Sequence, residues 1–164
     1  ADLLKAPQDG LVERVSSMLA RLRAADKELA DLRGQQNLAA AGSLASSAHD
    51  VGGVTVVTGS PAGLGGGDLR TLALDVRGRL PGAAPTVVLL ASESGGKVAL
   101  VAALNPAPLE RGLSADDLLL AAAPAVGGRG GGKADVAQGG GTDPAGIPAA
   151  LQAGEQAVAA ATGR

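Results

Sequence analysis

Residues 86–104, TVVLLASESGGKVALVAAL, carry the strongest strand signal in the chain. The two continuous apolar runs, residues 86–91 and 97–104, are rich in the aliphatic and β-branched residues typical of strands. The five residues between them, 92–96, are mostly polar and end in glycine, which favours a hairpin. This stretch therefore predicts two neighbouring antiparallel strands.

The hydrophobic pattern changes twice along residues 51–80, which precede this hairpin. The β-branched residues 51–58, VGGVTVVT, predict a strand, and the glycine-rich residues 59–67 predict a loop. Residues 69–80 predict a helix with Asp68 as its N-cap and with one apolar face formed by Leu69, Leu72, Val76 and Leu80.

The residues after the hairpin predict two further helices around a glycine-rich loop. Ser114 opens an acid-rich first turn, and the apolar stripe that follows predicts a largely buried helix to about Val126. Residues 127–141 hold the densest glycine cluster and predict a loop. Asp143, with Pro144 at the first helical position, predicts a last helix to about Ala161.

The N-terminal part predicts a long helix over residues 7–47, with Pro7 in the first turn and a weak point at Gly34. Its apolar residues follow alternating steps of four and three, the a/d seam of a coiled coil: Leu11, Val15, Met18, Leu22, Ala25, Leu29 and Leu32. So narrow a seam favours a helix partner, either a second copy or an upstream segment, over packing onto its own domain.

The order of elements predicts an α/β protein in which a long coiled-coil-type helix precedes a small globular domain. We expect residues 1–49 to form the helical dimerisation segment and residues 50–164 the globular domain. The chain opens Ala-Asp-Leu-Leu-Lys, without an initiator Met or a signal-like run, which indicates a piece of a longer protein.

The composition of the 164 residues excludes several kinds of site. Cysteine is absent, so disulfides and thiolate chemistry are impossible, and a reducing cytoplasm is the expected location. His49 is the single histidine, so no metal site with two imidazoles can form within one chain. At the end of a predicted helix, His49 is expected to be exposed or capping, and Glu93 and Glu110 are isolated. We therefore predict no catalytic centre, metal or cofactor, and no membrane-spanning segment.

Residues 127–134, GGRGGGKA, match most of a phosphate-binding P-loop. Ala134 replaces the Ser or Thr that would hold Mg²⁺, however, and the loop follows a predicted helix instead of a strand, so nucleotide hydrolysis is not expected. Its glycines still allow backbone N–H groups to approach an anion beside Arg129 and Lys133. Gly127 alternatively serves as a helix C-cap.

The longer stretch 127–141, GGRGGGKADVAQGGG, closely resembles the glycine-rich signature of the C-terminal (C-Ala) domain of bacterial alanyl-tRNA synthetases. This DHH-associated domain also ends DHH-type phosphoesterases. The resemblance covers essentially the whole chain, although Ala134 stands where the family often has Pro and Val136 where it often has Met. The long heptad helix favours the synthetase group.

The resemblance implies a non-catalytic domain whose parent chain is an alanine–tRNA ligase. It implies that the globular part binds the elbow of alanine-specific tRNA, and that the helix mediates a homodimer. It also implies that the remainder of the parent synthetase is a partner, whose aminoacylation and editing the domain supports. A domain for self-association alone and the substrate-binding lobe of a DHH phosphoesterase are the alternatives.

RNA binding by this chain would need a particular chemistry, because Phe, Tyr and Trp are absent and no base can stack on an aromatic ring. Contacts must come from Lys and Arg to phosphates, 2′-hydroxyls and RNA shape. The expected contacts are Arg129, Lys133, Lys97, Gln138, Gly128, Gly130, Gly131 and Gly132, with Arg70, Arg77 and Arg79 as weaker candidates.

Overall fold

The computed structural model describes residues 8–163, and its contacts divide the chain into compact units after Asn37. Helix α1 (Gln8–Ser46) is continuous through Gly34. The last turns of α1 belong to the second unit, where Ala41 is fully buried in the core. The division into a dimerisation segment, residues 1–49, and a globular domain, residues 50–164, stays a prediction. Pro7, the expected first-turn proline, lies outside the described residues.

Within residues 8–163 the second unit contains a six-stranded sheet in the order β1-β2-β3-β4-β6-β5. Only β2 and β3 run parallel to each other; every other neighbouring pair is antiparallel. The strands are β1 (His49–Val51), β2 (Val54–Gly59), β3 (Thr86–Ser94), β4 (Lys97–Leu104), β5 (Arg129–Gly132) and β6 (Val136–Gly141).

The predicted hairpin is confirmed as β3 and β4, but its connection is shorter than expected. The strands extend to Ser94 and Lys97, which pair with each other, and only Gly95 and Gly96 lie between them. Both glycines have positive φ values, 60° and 77°, which suit a two-residue turn that matches the strand twist. The polar residues 92–94 therefore belong to a strand.

Helices cover both faces of the sheet. Helix α2 (Gly66–Arg79) and the end of α1 bury one face, and helices α4 (Ala115–Ala122) and α5 (Ile147–Thr162) bury the other. Residues of β3 alternate between the two cores, with Leu89 in one and Leu90 in the other. A strand buried on both faces reads as a continuous apolar run, which explains the sequence of residues 86–91.

The helix ends follow the predicted caps only in part. The Ser114 hydroxyl accepts a hydrogen bond from the Asp117 N–H at 3.1 Å, as expected. Asp68 is not the N-cap of α2, which begins earlier, after Gly65 and without a side-chain cap. Asp143 caps a short 3₁₀ turn that precedes α5, and helix α3 (Pro106–Glu110) was not predicted.

The prediction of a loop over residues 127–141 was wrong, because these residues form the hairpin of β5 and β6. Their glycines are required by close packing between backbones. A Cβ on Gly139 would lie 2.7 Å from the Gly130 Cα, and one on Gly132 would lie 2.7 Å from the Ala137 Cα. Gly127, in the left-handed conformation (φ 64°, ψ 34°), ends a 3₁₀ turn, as the C-cap interpretation predicted.

Candidate nucleic-acid interface

A cleft of about 270 Å³ lies between α2 and the β5–β6 hairpin. We call it the hairpin cleft. Arg70 of α2, Lys133 at the hairpin turn and Gln138 of β6 line it together. Gly131 and Gly132 also line it, so five of the residues nominated from the sequence meet at one place, although Arg70 is distant from Lys133 along the chain.

Hydrogen bonds fix the walls of the hairpin cleft. The Lys133 N–H donates to the Val136 carbonyl at 3.0 Å and closes the turn, which places the lysine at the tip of the hairpin. Gln138 Nε2 donates to the Gly66 carbonyl at 2.9 Å and ties β6 to the start of α2. One hydrogen of the Gln138 amide is therefore already used within the protein.

The hairpin cleft contains an acid that sequence reasoning overlooked. Asp135 lines it together with Arg70 and Lys133, so the charged side chains of the lining sum to about +1. A second carboxylate, that of Asp116, accepts a hydrogen bond from the Gly132 N–H at 3.0 Å. The mixed charge predicts a moderate attraction for phosphate, without a strongly basic field.

Lys97 lies in a neighbouring cleft of about 360 Å³, beside Gly65 and Gly66 at the start of α2. Because α2 has no side-chain cap, the positive end of its dipole adds to the charge of the lysine. Gly66 accepts the hydrogen bond of Gln138, so this contact joins a residue of the Lys97 cleft to a residue of the hairpin cleft.

Arg129 and the glycines beside it are placed apart from Lys133. Arg129, Gly128 and Gly130 line a cleft of about 260 Å³ against Leu120 and Pro124. The Gly128 N–H donates to the Ala123 carbonyl at 3.0 Å. The N–H groups of Gly128 and Gly132 therefore have partners within the protein. A Cβ on Gly131 would lie 3.3 Å from Asp116 Oδ1, so this glycine is also closely surrounded.

The other nominated arginines of α2 make contacts within the protein. Arg77 Nη1 donates to the Leu104 carbonyl at 2.9 Å in a half-buried position. The exposed Arg79 side chain pairs with Asp75, four residues earlier, at 3.4 Å. The sequence alone could not distinguish these arginines from Arg70, because all three lie on the same helix.

His49 contacts Glu155 of α5 through a hydrogen bond between Nε2 and a carboxylate oxygen. This hydrogen bond is the main reason that the pKa of His49 is raised above its usual value of 6.5, and partial burial opposes the shift. The side chain is 44% exposed, as expected for a histidine near a helix end. Among residues 8–163, no group of three or more His, Asp or Glu side chains is arranged to hold a metal ion.

The heptad seam of α1 is uncovered in the described chain. Leu11, Met18 and Leu22 are exposed by 61%, 66% and 59%, and Val15, Leu29 and Leu32 by about half. Leu19, next to the seam, is also exposed. In the part of the chain that the structure describes, no helix is both long enough and apolar enough to cross a membrane.

The fold and the glycine hairpin define a class of domain. The family model of the DHHA1 domain matches residues 50–160, and the chain belongs to this family. Among solved structures, the C-Ala domain of alanyl-tRNA synthetase from Aquifex aeolicus superposes with a TM-score of 0.61 at 28% identity, covering 69% of this chain and 98% of that one. The DHH domain of a ribosomal-protein family member (TM-score 0.56, 13% identity, 86% of this chain and 34% of that one) supports the fold alone.

The curated relatives point to one kind of protein. The chain is 54% identical to the alanine–tRNA ligase of a Nocardioides species, over 92% of this chain and 17% of the relative. It is 50% identical to those of Saccharopolyspora erythraea (93% and 17%) and Streptomyces avermitilis (96% and 18%). It therefore spans less than a fifth of these relatives. The predicted resemblance and fold class are confirmed, and the chain corresponds to an accessory, non-catalytic domain.

Proposed function

We propose that this chain is the C-terminal domain of an alanine–tRNA ligase and that it binds the elbow of alanine-specific tRNA while pairing with a second copy. It thereby supports aminoacylation and editing by the rest of the parent synthetase, in the cytoplasm. The observation that supports RNA binding most directly is the hairpin cleft, where Arg70, Lys133 and Gln138 meet.

The chemistry of the hairpin cleft suits a folded RNA surface. Two cations and an amide can contact phosphates and 2′-hydroxyls, whereas the chain has no aromatic side chain on which a base could stack. Such contacts depend on backbone shape and carry little base specificity. Lys97 and Arg129, in separate clefts, would extend the contact along the RNA backbone.

The test is a salt series of tRNA binding by the 164-residue chain, measured by the anisotropy of a labelled alanine-specific tRNA. We expect Arg70→Ala and Lys133→Ala each to reduce the slope of log K against log salt by about one, because each removes one phosphate contact. Arg79→Ala is the matched control, since it removes an exposed arginine of the same helix that pairs with Asp75.

Equal slopes for the wild type and all three variants would remove the hairpin cleft from the proposal. Loss of affinity without a change of slope would indicate a structural effect of the substitutions. Arg129→Ala and Lys97→Ala, tested in the same way, would then show whether another cleft carries the RNA contact.

Self-association alone is the second candidate, because the uncovered seam of α1 gathers most of the exposed large apolar side chains of the described residues. It predicts a dimer whose sedimentation is unaffected by tRNA at low salt. A phosphoesterase lobe is a weaker alternative, because the curated matches described above are alanine–tRNA ligases.

A further inference from the structure

We infer that the seam of α1 pairs two copies of this chain in parallel and in register. The inference rests on the self-association proposed above and adds the orientation of the two helices. It follows from the charges that flank the seam, which lie within the continuous helix Gln8–Ser46.

The spacing of the seam fixes the heptad positions of its neighbours. Val15, Leu22 and Leu29 occupy a positions, and Leu11, Met18, Ala25 and Leu32 occupy d positions. The flanking g positions then hold Arg14, Arg21 and Glu28, and the e positions hold Val12, Leu19, Asp26 and Arg33.

In a parallel, in-register pair, each g residue faces the e residue five positions later on the other helix. Arg21 then faces the partner's Asp26, and Glu28 faces the partner's Arg33. The symmetry of the pair doubles these contacts, so the arrangement has four attractive pairs of charges and no repulsive pair at these positions. Arg14 faces the partner's Leu19, where the aliphatic part of the arginine covers the leucine.

In an antiparallel pair, g residues face g residues and e residues face e residues. With Val15 packed against the partner's Leu32, Arg21 faces the partner's Glu28, which keeps two attractive contacts. Asp26 then faces the partner's Leu19, which places a carboxylate against an apolar side chain. The antiparallel arrangement therefore loses half of the attractive contacts and gains none.

The seam is short, so the association is expected to be weak. From Leu11 to Leu32 it covers about three heptads, roughly 33 Å of helix at about 1.5 Å per residue. The parallel arrangement also places Ala25 against the partner's Ala25, a layer with little buried area. A covalent trap is therefore more informative than dissociation alone.

The chain contains no native cysteine, which makes disulfide trapping unambiguous. Val15→Cys and Leu32→Cys are prepared separately in the full chain, mixed, and equilibrated in a glutathione redox buffer. Parallel pairing predicts symmetric disulfides, each variant with itself. Antiparallel pairing predicts the mixed disulfide instead, because Val15 would then pack against the partner's Leu32. Ala30→Cys, on the outer face of the helix, is the control for random collision.

A charge exchange tests the same geometry without cysteine. Parallel pairing predicts that Asp26→Arg weakens dimerisation by roughly tenfold, because attraction to the partner's Arg21 becomes repulsion. The double variant Arg21→Asp/Asp26→Arg should recover it. In an antiparallel pair the double variant would be weaker still, since Arg21→Asp places an acid against the partner's Glu28. Sedimentation equilibrium measures each dissociation constant.

The outcomes separate the orientation from the association itself. A dominant mixed disulfide overturns the parallel arrangement and leaves self-association intact. Disulfide yields no higher than that of Ala30→Cys, together with a monomer at all concentrations, overturn both. Symmetric disulfides with recovery in the double variant establish the parallel pair.

Discussion

Glycine has two separate uses among the residues of this chain. Gly95 and Gly96 supply the positive φ values of a tight turn, which other residues rarely adopt. Gly130 and Gly139 are needed for a different reason, because their backbones approach each other too closely for a Cβ. The sequence pattern alone does not separate these uses, and this is why the glycine-rich hairpin resembled a loop.

We expect Gly139→Ala to lower the free energy of unfolding by about 2 kcal/mol or more, because its Cβ would meet the backbone of Arg129 and Gly130 at 2.7–2.8 Å. Gly78→Ala, in α2 and with open space around it, is the control and should be neutral or stabilising by up to about 1 kcal/mol. Urea denaturation followed by peptide circular dichroism measures both. If Gly139→Ala left the free energy of unfolding unchanged, strands β5 and β6 could move apart to accommodate a Cβ without loss of stability.

The His49–Glu155 contact predicts a small dependence of stability on pH. The folded-state pKa of His49 is raised, so the stabilisation is fully present below the unfolded value of about 6.5 and is lost as the pH rises through the folded value. Because both side chains are partly exposed to solvent, which screens the interaction, the effect should stay below about 1 kcal/mol.

NMR can measure this pKa directly, since His49 supplies the only aromatic side-chain signals in the chain. Glu155→Gln should return the pKa of His49 towards 6.5, because the main cause of the shift is the Glu155 hydrogen bond. Glu110→Gln is the matched control. An identical titration in all three proteins would refute the contact.

At the scale of elements, α2 shows how one helix places similar side chains in different settings. Arg70 lines the hairpin cleft, Arg77 donates to the carbonyl at the end of β4, and Arg79 pairs with Asp75 near the helix end. The helical period correctly predicted that Leu69, Leu72 and Val76 form the buried face of α2, whereas Leu80, also predicted there, is its C-cap and is only partly buried. The helical period could not predict which arginine contacts β4 and which lies beside β6, because those contacts depend on residues far away in the sequence.

This difference between the arginines predicts opposite phenotypes. Arg77→Ala should destabilise the chain by about 1–2 kcal/mol, because it leaves a half-buried carbonyl without its charged donor. It should leave the salt slope of tRNA binding unchanged, whereas Arg70→Ala should change the slope with little effect on stability. Denaturation and anisotropy on the same preparations test this, and a reversed pattern would contradict the placement of both residues.

At the scale of the whole molecule, the core residues belong to the unit 38–164. We therefore expect a chain truncated to this unit to fold with the same urea midpoint as the full chain. It should bind tRNA with the same salt slope and sediment as a monomer, because the seam Leu11–Leu32 is removed. A dimer formed by the truncated chain would place self-association outside the helix, and a lower midpoint would show that residues 1–37 stabilise the fold.

The sequence by itself determined the local elements of this protein. Hydrophobic period and β-branching predicted the long helix, α2, the β3–β4 hairpin and the cap at Ser114, because these signals depend on residues a few positions apart. The resemblance to the DHH-associated family also came from local residues, those of 127–141.

Only the tertiary structure decided the features that join distant residues. It placed the β5–β6 hairpin at the edge of the sheet and brought Arg70 to Lys133, and it packed the last turns of α1 into the unit 38–164. It also added Asp135 to the hairpin cleft and used two glycine N–H groups within the protein. These contacts depend on how sheet and helices pack against each other, and the periodicity of a single segment contains no information about that packing.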